Sequence, residues 1–112
     1  MIINIGLIEA GMSFADMTRV SHRLPKIFRP ARYGVLAHGV GLCDEYPSVR
    51  YPEDVEARGY GGCFEVGMTL CVEAYIGAVG GHDGVKLKER VLITDSGAVP
   101  LSIYRYEAAF LD

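Results

Sequence analysis

The sequence predicts an α+β fold in which an antiparallel sheet carries helices on one face. Residues 65–76 and 84–94 are two runs typical of strands, and the short turn 77–83 between them favours antiparallel pairing. Apolar residues also recur at helical spacing between residues 14 and 24. One face of each strand is expected to pack against helices, and the other to face a pocket or solvent.

Composition narrows the class of protein. The 112 residues suffice for one domain, residues 1–112, and half of them are hydrophobic. A net charge of −3 gives no reason to expect binding to nucleic acid or to an anionic membrane. Three cysteines without a CxxC motif favour free thiols, and no signal peptide is recognisable. We therefore expect a cytoplasmic protein.

The N-terminal residues 1–10 are apolar and stop at Gly11. The pattern is typical of the last turns of a helix, with Gly11 as its C-terminal stop. A self-contained domain rarely opens inside a helix. The sequence therefore predicts an N-terminally truncated chain.

A second helix is predicted over residues 14–24. Ser13 precedes it and Asp16 follows three places later, which is a weak capping box. Pro25 and Pro30 then predict the end of the helix and an extended, basic connector.

The second half of the chain alternates between loop and strand signals. Residues 45–62 are rich in Pro, Gly, Tyr and charge, and we predict one long exposed loop there. After the two strands and a turn at 94–97, residues 99–104 are predicted to form one more short strand.

The stretch 37–45 concentrates residues capable of chemistry. His38 is predicted at the head of a turn, where Gly39 and Gly41 would let a backbone pass close to a neighbour. A histidine is a common metal ligand, and Asp44 and the glutamate after it are candidate proton carriers.

Strand alternation places Glu73 on a polar face that it shares with Cys71 and Tyr75. On the second strand, Glu89 falls on the face opposite to the one shared by Lys86, Lys88 and Arg90. Glu73 and His38 can meet in one cavity, either as part of a metal site or as a hydrogen-bonded structural pair. Spacing alone leaves both interpretations open.

Three separated motifs add a resemblance. They are His38-Gly39-Val40-Gly41-Leu42, then Gly67-Met68 followed by Glu73, then Gly84-Val85-Lys86-Leu87 leading to Val91-Leu92-Ile93-Thr94. In their order and spacing they resemble the C-terminal half of the pita-bread fold of creatinase, aminopeptidase P and prolidase.

The resemblance implies a metal site with two departures. The family holds a pair of divalent metal ions, here iron or zinc, with two aspartates, one histidine and two glutamates. His38 takes the histidine place and Glu73 the first glutamate place, but the aspartates belong before this segment and Lys88 stands where the second glutamate is expected. A lysine repels a metal cluster. We therefore expect that this chain alone does not hold the metal pair.

The residues after His38 most resemble DddP-type dimethylsulfoniopropionate lyases. Proline-specific peptidases usually carry a second histidine where this chain has Glu45. The lyase pattern instead has a tyrosine five residues before His38 and an aspartate six after it, which are Tyr33 and Asp44 here. The resemblance makes Asp44 the catalytic base and Tyr33 a residue that positions the substrate, a zwitterionic sulfonium carboxylate.

Three functional classes follow from this resemblance. The first is a fragment of a lyase that gives dimethyl sulfide and acrylate by elimination and is inactive as this chain alone. The second is a fragment of an Xaa-Pro peptidase-type metallohydrolase, and the third is a non-catalytic remnant of the fold. By analogy, the expected protein partner is a second copy in a homodimer or a missing N-terminal half.

Overall fold

The computed structural model describes residues 1–43 and 45–107. This part of the chain holds three α-helices, one 3-10 helix and five strands. In chain order they are α1 (Ile2–Leu7), α2 (Phe14–Val20), the 3-10 helix Lys26–Ala31, β1 (Val35–Gly39), β2 (Ser48–Arg50), α3 (Pro52–Arg58), β3 (Thr69–Gly77), β4 (Gly84–Thr94) and β5 (Gly97–Pro100). None of these helices has the length and apolar character needed to span a bilayer.

The five strands form one sheet in the order β2-β1-β3-β4-β5, and every neighbouring pair is antiparallel. The predicted α+β class with an antiparallel sheet is therefore confirmed. The predicted pairing of the two long strands is also found, because β3 pairs with β4 along its whole length. The predicted last strand forms as β5, slightly earlier than expected and directly after the turn at residues 94–97.

The hydrophobic core lies on one face of the sheet. Strands β3 and β4 bury alternate apolar side chains there, as the strand alternation predicts. Side chains from the N-terminal segment and α2 join the same buried cluster. Its members include Ile5, Ile8, Phe14, Met17, Leu70, Val72, Val91 and Ile93. The opposite face of β3 and β4 carries the charged side chains of Glu73, Lys86, Lys88 and Arg90.

The first helix is shorter than predicted. It ends at Leu7, because Ile8 already adopts an extended conformation. Gly11 does not cap this helix. It lies in the following turn with a φ of 84°, and its N–H donates to the Phe64 carbonyl at 2.8 Å. The left-handed φ of this turn, rather than the end of the helix, therefore explains the glycine.

The second helix begins as predicted. Ser13 Oγ accepts the Asp16 backbone N–H at 3.0 Å and donates to the Asp16 carboxylate at 2.8 Å. The predicted end at residue 24 is wrong. Ser21 adopts an extended ψ of 148° and its hydroxyl donates to the Thr18 carbonyl, which closes the helix after Val20.

Two connecting segments hold more structure than predicted. The proline-rich connector after α2 forms the 3-10 helix Lys26–Ala31, because the fixed φ of proline also suits that helix. The predicted loop 45–62 contains β2 and α3. Pro52 at the first position and two acids in the first turn favour the start of α3.

Candidate metal and active site

His38 lies inside strand β1, not at the head of a turn as predicted. Strand β1 is paired on both sides, with β2 and with β3, and this fixes the His38 backbone. The imidazole is buried, and Nδ1 lies 2.9 Å from the Gly39 carbonyl oxygen. Because a carbonyl only accepts, Nδ1 carries the hydrogen of this contact. The ring is thereby oriented with Nε2 towards the face of the sheet that carries Glu73.

Gly39 is required by a close backbone approach. A Cβ atom there would lie 1.8 Å from the Tyr46 carbonyl oxygen. The prediction made for Gly39 is therefore confirmed. Among residues 1–43 and 45–107, no atom lies within 4 Å of such a Cβ at Gly41, so this part of the chain gives no support to the same prediction there.

Glu73 lies on β3 and is completely buried. Its Oε1 is 3.2 Å from His38 Nε2, so the structure brings together the two residues that the sequence selected as metal ligands. Burial alone would raise the pKa of Glu73, but the ammonium groups of Lys88 and Lys86 outweigh it and lower the pKa below its ordinary value. Glu73 is therefore a buried carboxylate anion.

Two lysines of β4 neutralise this carboxylate. Lys88 is the cross-strand partner of Glu73, and its ammonium forms a direct ion pair with Oε1. Lys86 Nζ lies 3.0 Å from Oε2, although this second contact lacks hydrogen-bond geometry. The carboxylate in turn raises the pKa of Lys88. Both carboxylate oxygens of Glu73 thus already face a cation of the chain itself.

Cys71 is a third ligand-type residue beside this pair. One ligand atom each from Cys71, His38 and Glu73 lies within 4.8 Å of the others. Strand alternation predicts that Cys71 shares a face with Glu73, and the structure confirms it. Burial raises the pKa of the Cys71 thiol, and metals bind the thiolate form. The thiol is therefore poorly prepared to bind a metal.

Tyr33 is connected to the site through Lys86. The Lys86 ammonium lies 3.7 Å from the centre of the Tyr33 ring, which is a cation–π contact, and the same ammonium reaches Glu73. Nothing in the sequence indicated this bridge by Lys86. Asp44, the predicted base, lies outside the described residues.

The described residues do not fit the pair of metal ions that the resemblance implies. The strand register places Lys88 opposite Glu73, where a second carboxylate ligand is expected. Glu89 cannot replace it, because it is buried on the other face and accepts a hydrogen bond from the Tyr106 hydroxyl at 2.7 Å. A metal ion would have to displace two ammonium groups from Glu73.

Comparison with known proteins identifies relatives. Residues 2–95 match the model of metallopeptidase family M24. The chain is 43% identical to the dimethylsulfoniopropionate lyase DddP of Roseovarius nubinhibens and 41% identical to that of Roseobacter denitrificans, over 108 residues in each case. Each alignment covers 96% of this chain but 24% of the relative, so the chain spans about a quarter of their length.

A solved structure supports the fold. The X-Pro aminopeptidase of Thermotoga maritima superposes with a TM-score of 0.65 over 91% of this chain and 28% of its own, at 18% identity. At that identity the likeness concerns the fold alone. Together with the family match over most of the sequence, it confirms the resemblance to the pita-bread proteins. The chain belongs to metallopeptidase family M24.

Proposed function

We propose that this chain carries part of the active site of a dimethylsulfoniopropionate lyase. The observation that supports it best is the contact of His38 Nε2 with Glu73 Oε1 at 3.2 Å, at two positions where the resemblance expects active-site residues. Two relatives named as lyases of this substrate are 43% and 41% identical to the chain. The chain covers about a quarter of the length of these relatives. The lyase activity that their names state is therefore, for this chain, a proposal.

The proposed reaction is an elimination. A base removes a proton from the carbon next to the substrate carboxylate, the carbon–sulfur bond breaks, and dimethyl sulfide leaves with the bonding electrons. The new carbon–carbon double bond gives acrylate. Asp44 is the proposed base, since a carboxylate can take this proton when it is held close to the carbon. Tyr33 is the proposed positioning residue, beside the Lys86 ammonium.

We propose no metal-dependent step for this chain, because its described residues do not fit the metal pair. Lys88 and Lys86 both contact Glu73. The same ion pairs favour a second candidate function, a non-catalytic member of the family in which the polar face of the sheet is closed by internal salt bridges. For the chain by itself we expect no turnover.

A chimera tests the proposal. This chain would replace the 108 aligned residues of the Roseovarius nubinhibens enzyme, with Lys88→Glu added, and dimethyl sulfide would be measured by gas chromatography. We expect the K88E chimera to release dimethyl sulfide and the chimera with Lys88 to release at least tenfold less. Asp44→Asn in the active chimera should abolish release, whereas Asp95→Asn in an exposed turn should not change it.

The outcomes separate the candidate functions. A folded K88E chimera that cleaves X-Pro dipeptides but releases no dimethyl sulfide would contradict the lyase proposal. Equal lyase activity in the K88E chimera and in the chimera that keeps Lys88 would contradict the non-catalytic alternative.

A further inference from the structure

The Lys86 ammonium lies between an aromatic ring and a carboxylate. Its Nζ is 3.7 Å from the centre of the Tyr33 ring and 3.0 Å from Glu73 Oε2. Aromatic faces are what proteins use to bind cations that lack an N–H group, and a neighbouring carboxylate adds attraction. Tyr33 and Glu73 therefore form a cation site, and an ammonium of the chain itself occupies it.

The contact between Lys86 and Glu73 does not depend on hydrogen bonding. Among residues 1–43 and 45–107, Glu73 Oε2 has no hydrogen-bond partner, although the ammonium lies 3.0 Å away. The attraction is thus one of charge, and the contact with the Tyr33 ring is of the same kind. A sulfonium or quaternary ammonium ion carries charge without N–H groups and can make both contacts.

The Lys86 ammonium can leave this position while the sheet stays intact. The Lys86 backbone is held by pairing with Tyr75, but the side chain is 33% exposed and ends on a flexible four-carbon stem. Tyr33 is exposed as well, so solvent reaches the ring. Glu73 keeps a second cation, because the Lys88 ammonium contacts Oε1. A cation from solution can therefore take the place of the Lys86 ammonium.

We infer that Tyr33 and Glu73 form a binding site for an onium cation, a sulfonium or a quaternary ammonium ion, and that Lys86 is an internal competitor for this site. The inference deepens the proposed function and rests on it for the identity of the ligand, the sulfonium end of the substrate. Because Lys86 is part of the chain, its ammonium is present at the site at a high effective concentration. The unmodified chain should therefore bind free onium ions weakly, and loss of this ammonium should open the site.

Binding of trimethylsulfonium to the full chain tests the inference without turnover. Isothermal titration calorimetry should show that Lys86→Ala binds this cation about tenfold more tightly than the unmodified chain, or better. Adding Tyr33→Leu to Lys86→Ala should weaken binding roughly tenfold, because the cation–π contact is lost. Lys26→Ala, which removes an exposed lysine of the 3-10 helix, should bind as weakly as the unmodified chain. Neutral tert-butanol, which has a similar shape, should bind to none of them.

A second variant and a second readout complete the test. Lys86→Gln keeps most of the side-chain length without the charge and should also bind trimethylsulfonium more tightly than the unmodified chain. On the Tyr33 ring, the methyl protons of the ligand should shift upfield in the NMR spectrum, and Tyr33→Leu should remove this shift.

Three results would overturn the inference. They are equal affinities of the unmodified chain and both Lys86 variants, bound ligand without an upfield shift, and equal binding by the folded double variant with Tyr33→Leu. Onium binding that depends on Tyr33, together with an inactive chimera, would instead retain the onium site and refute the lyase proposal.

Discussion

At the scale of single residues, the site is decided by the surroundings of Glu73. A completely buried carboxylate requires compensation, and the chain supplies it with the ammonium groups of Lys86 and Lys88. Strand alternation was enough to predict that Glu73 and Lys88 belong to polar faces that can meet. The bridge from Lys86 to Tyr33 was not predictable, because it depends on how far a long side chain reaches between segments distant in sequence.

The first prediction concerns metal binding. We expect no stoichiometric binding of Zn²⁺ to the unmodified chain. The Lys88→Glu variant should bind about one ion per chain, with a dissociation constant at least tenfold lower than that of any residual binding to the unmodified chain. The substitution replaces an ammonium on Glu73 by a second carboxylate, so repulsion of the metal becomes attraction. Isothermal titration calorimetry at neutral pH measures both.

Lys26→Glu is the matched control, because Lys26 is exposed on the 3-10 helix and the same charge change there should not create a site. Zinc uptake by the unmodified chain equal to that of Lys88→Glu would show that the lysine does not exclude the metal.

At the scale of elements, strand β1 requires a glycine at position 39. The sequence predicts a close backbone contact in this motif but does not show which of its two glycines makes it. Gly39 and Gly41 are indistinguishable in the motif, yet the Tyr46 carbonyl packs against Gly39 alone. The segment 45–62 was predicted as a loop because local patterns do not show which segments pair at long range. Its prolines and glycines also suit a three-residue strand followed by a helix that starts at Pro52, and long-range pairing with β1 decides between the two.

We expect Gly39→Ala to destabilise the chain towards the upper end of the roughly 1–3 kcal/mol typical of over-packing. The added methyl group collides with backbone, which cannot rotate away as a side chain could. Gly41→Ala is the control and should change the free energy of unfolding by less than about 0.5 kcal/mol. Urea unfolding followed by circular dichroism measures both, and equal midpoints for the two variants would refute the explanation.

At the scale of the whole molecule, the α+β class and the antiparallel pairing of β3 with β4 were predictable from local patterns. The position of β1 beside β3 was not, because it joins residues more than thirty positions apart and no local pattern carries that information. The same pairing brings His38 next to Glu73. Because the sequence does not predict this strand order, it could not predict that the two residues are in contact.

The segment after β5 is tied to the sheet by the hydrogen bond from Tyr106 to Glu89. Burial, and then this contact with a carboxylate, raise the pKa of Tyr106 to about 12. The folded chain therefore holds the phenolic proton more tightly than the unfolded chain, where the pKa is about 10. The stability that this contact contributes is present below pH about 10 and is lost as the pH rises towards 12.

Alkaline titration of tyrosine absorbance tests this prediction. One tyrosine should ionise near pH 12, and this late step should be missing in Tyr106→Phe and retained in Tyr104→Phe, which removes an exposed hydroxyl. Titration curves that superimpose for the unmodified chain and Tyr106→Phe would disprove the contact.

The cross-strand pair of Glu73 and Lys88 has an evolutionary consequence. His38 Nε2 and the Glu73 carboxylate both attract a positive charge. A proton, an ammonium group or a metal ion can each provide that charge, and in this chain the ammonium group of Lys88 contacts the carboxylate. Lysine and glutamate codons differ at their first base only. A single nucleotide exchange at position 88 therefore separates a sheet closed by its own salt bridge from one that offers a carboxylate ligand.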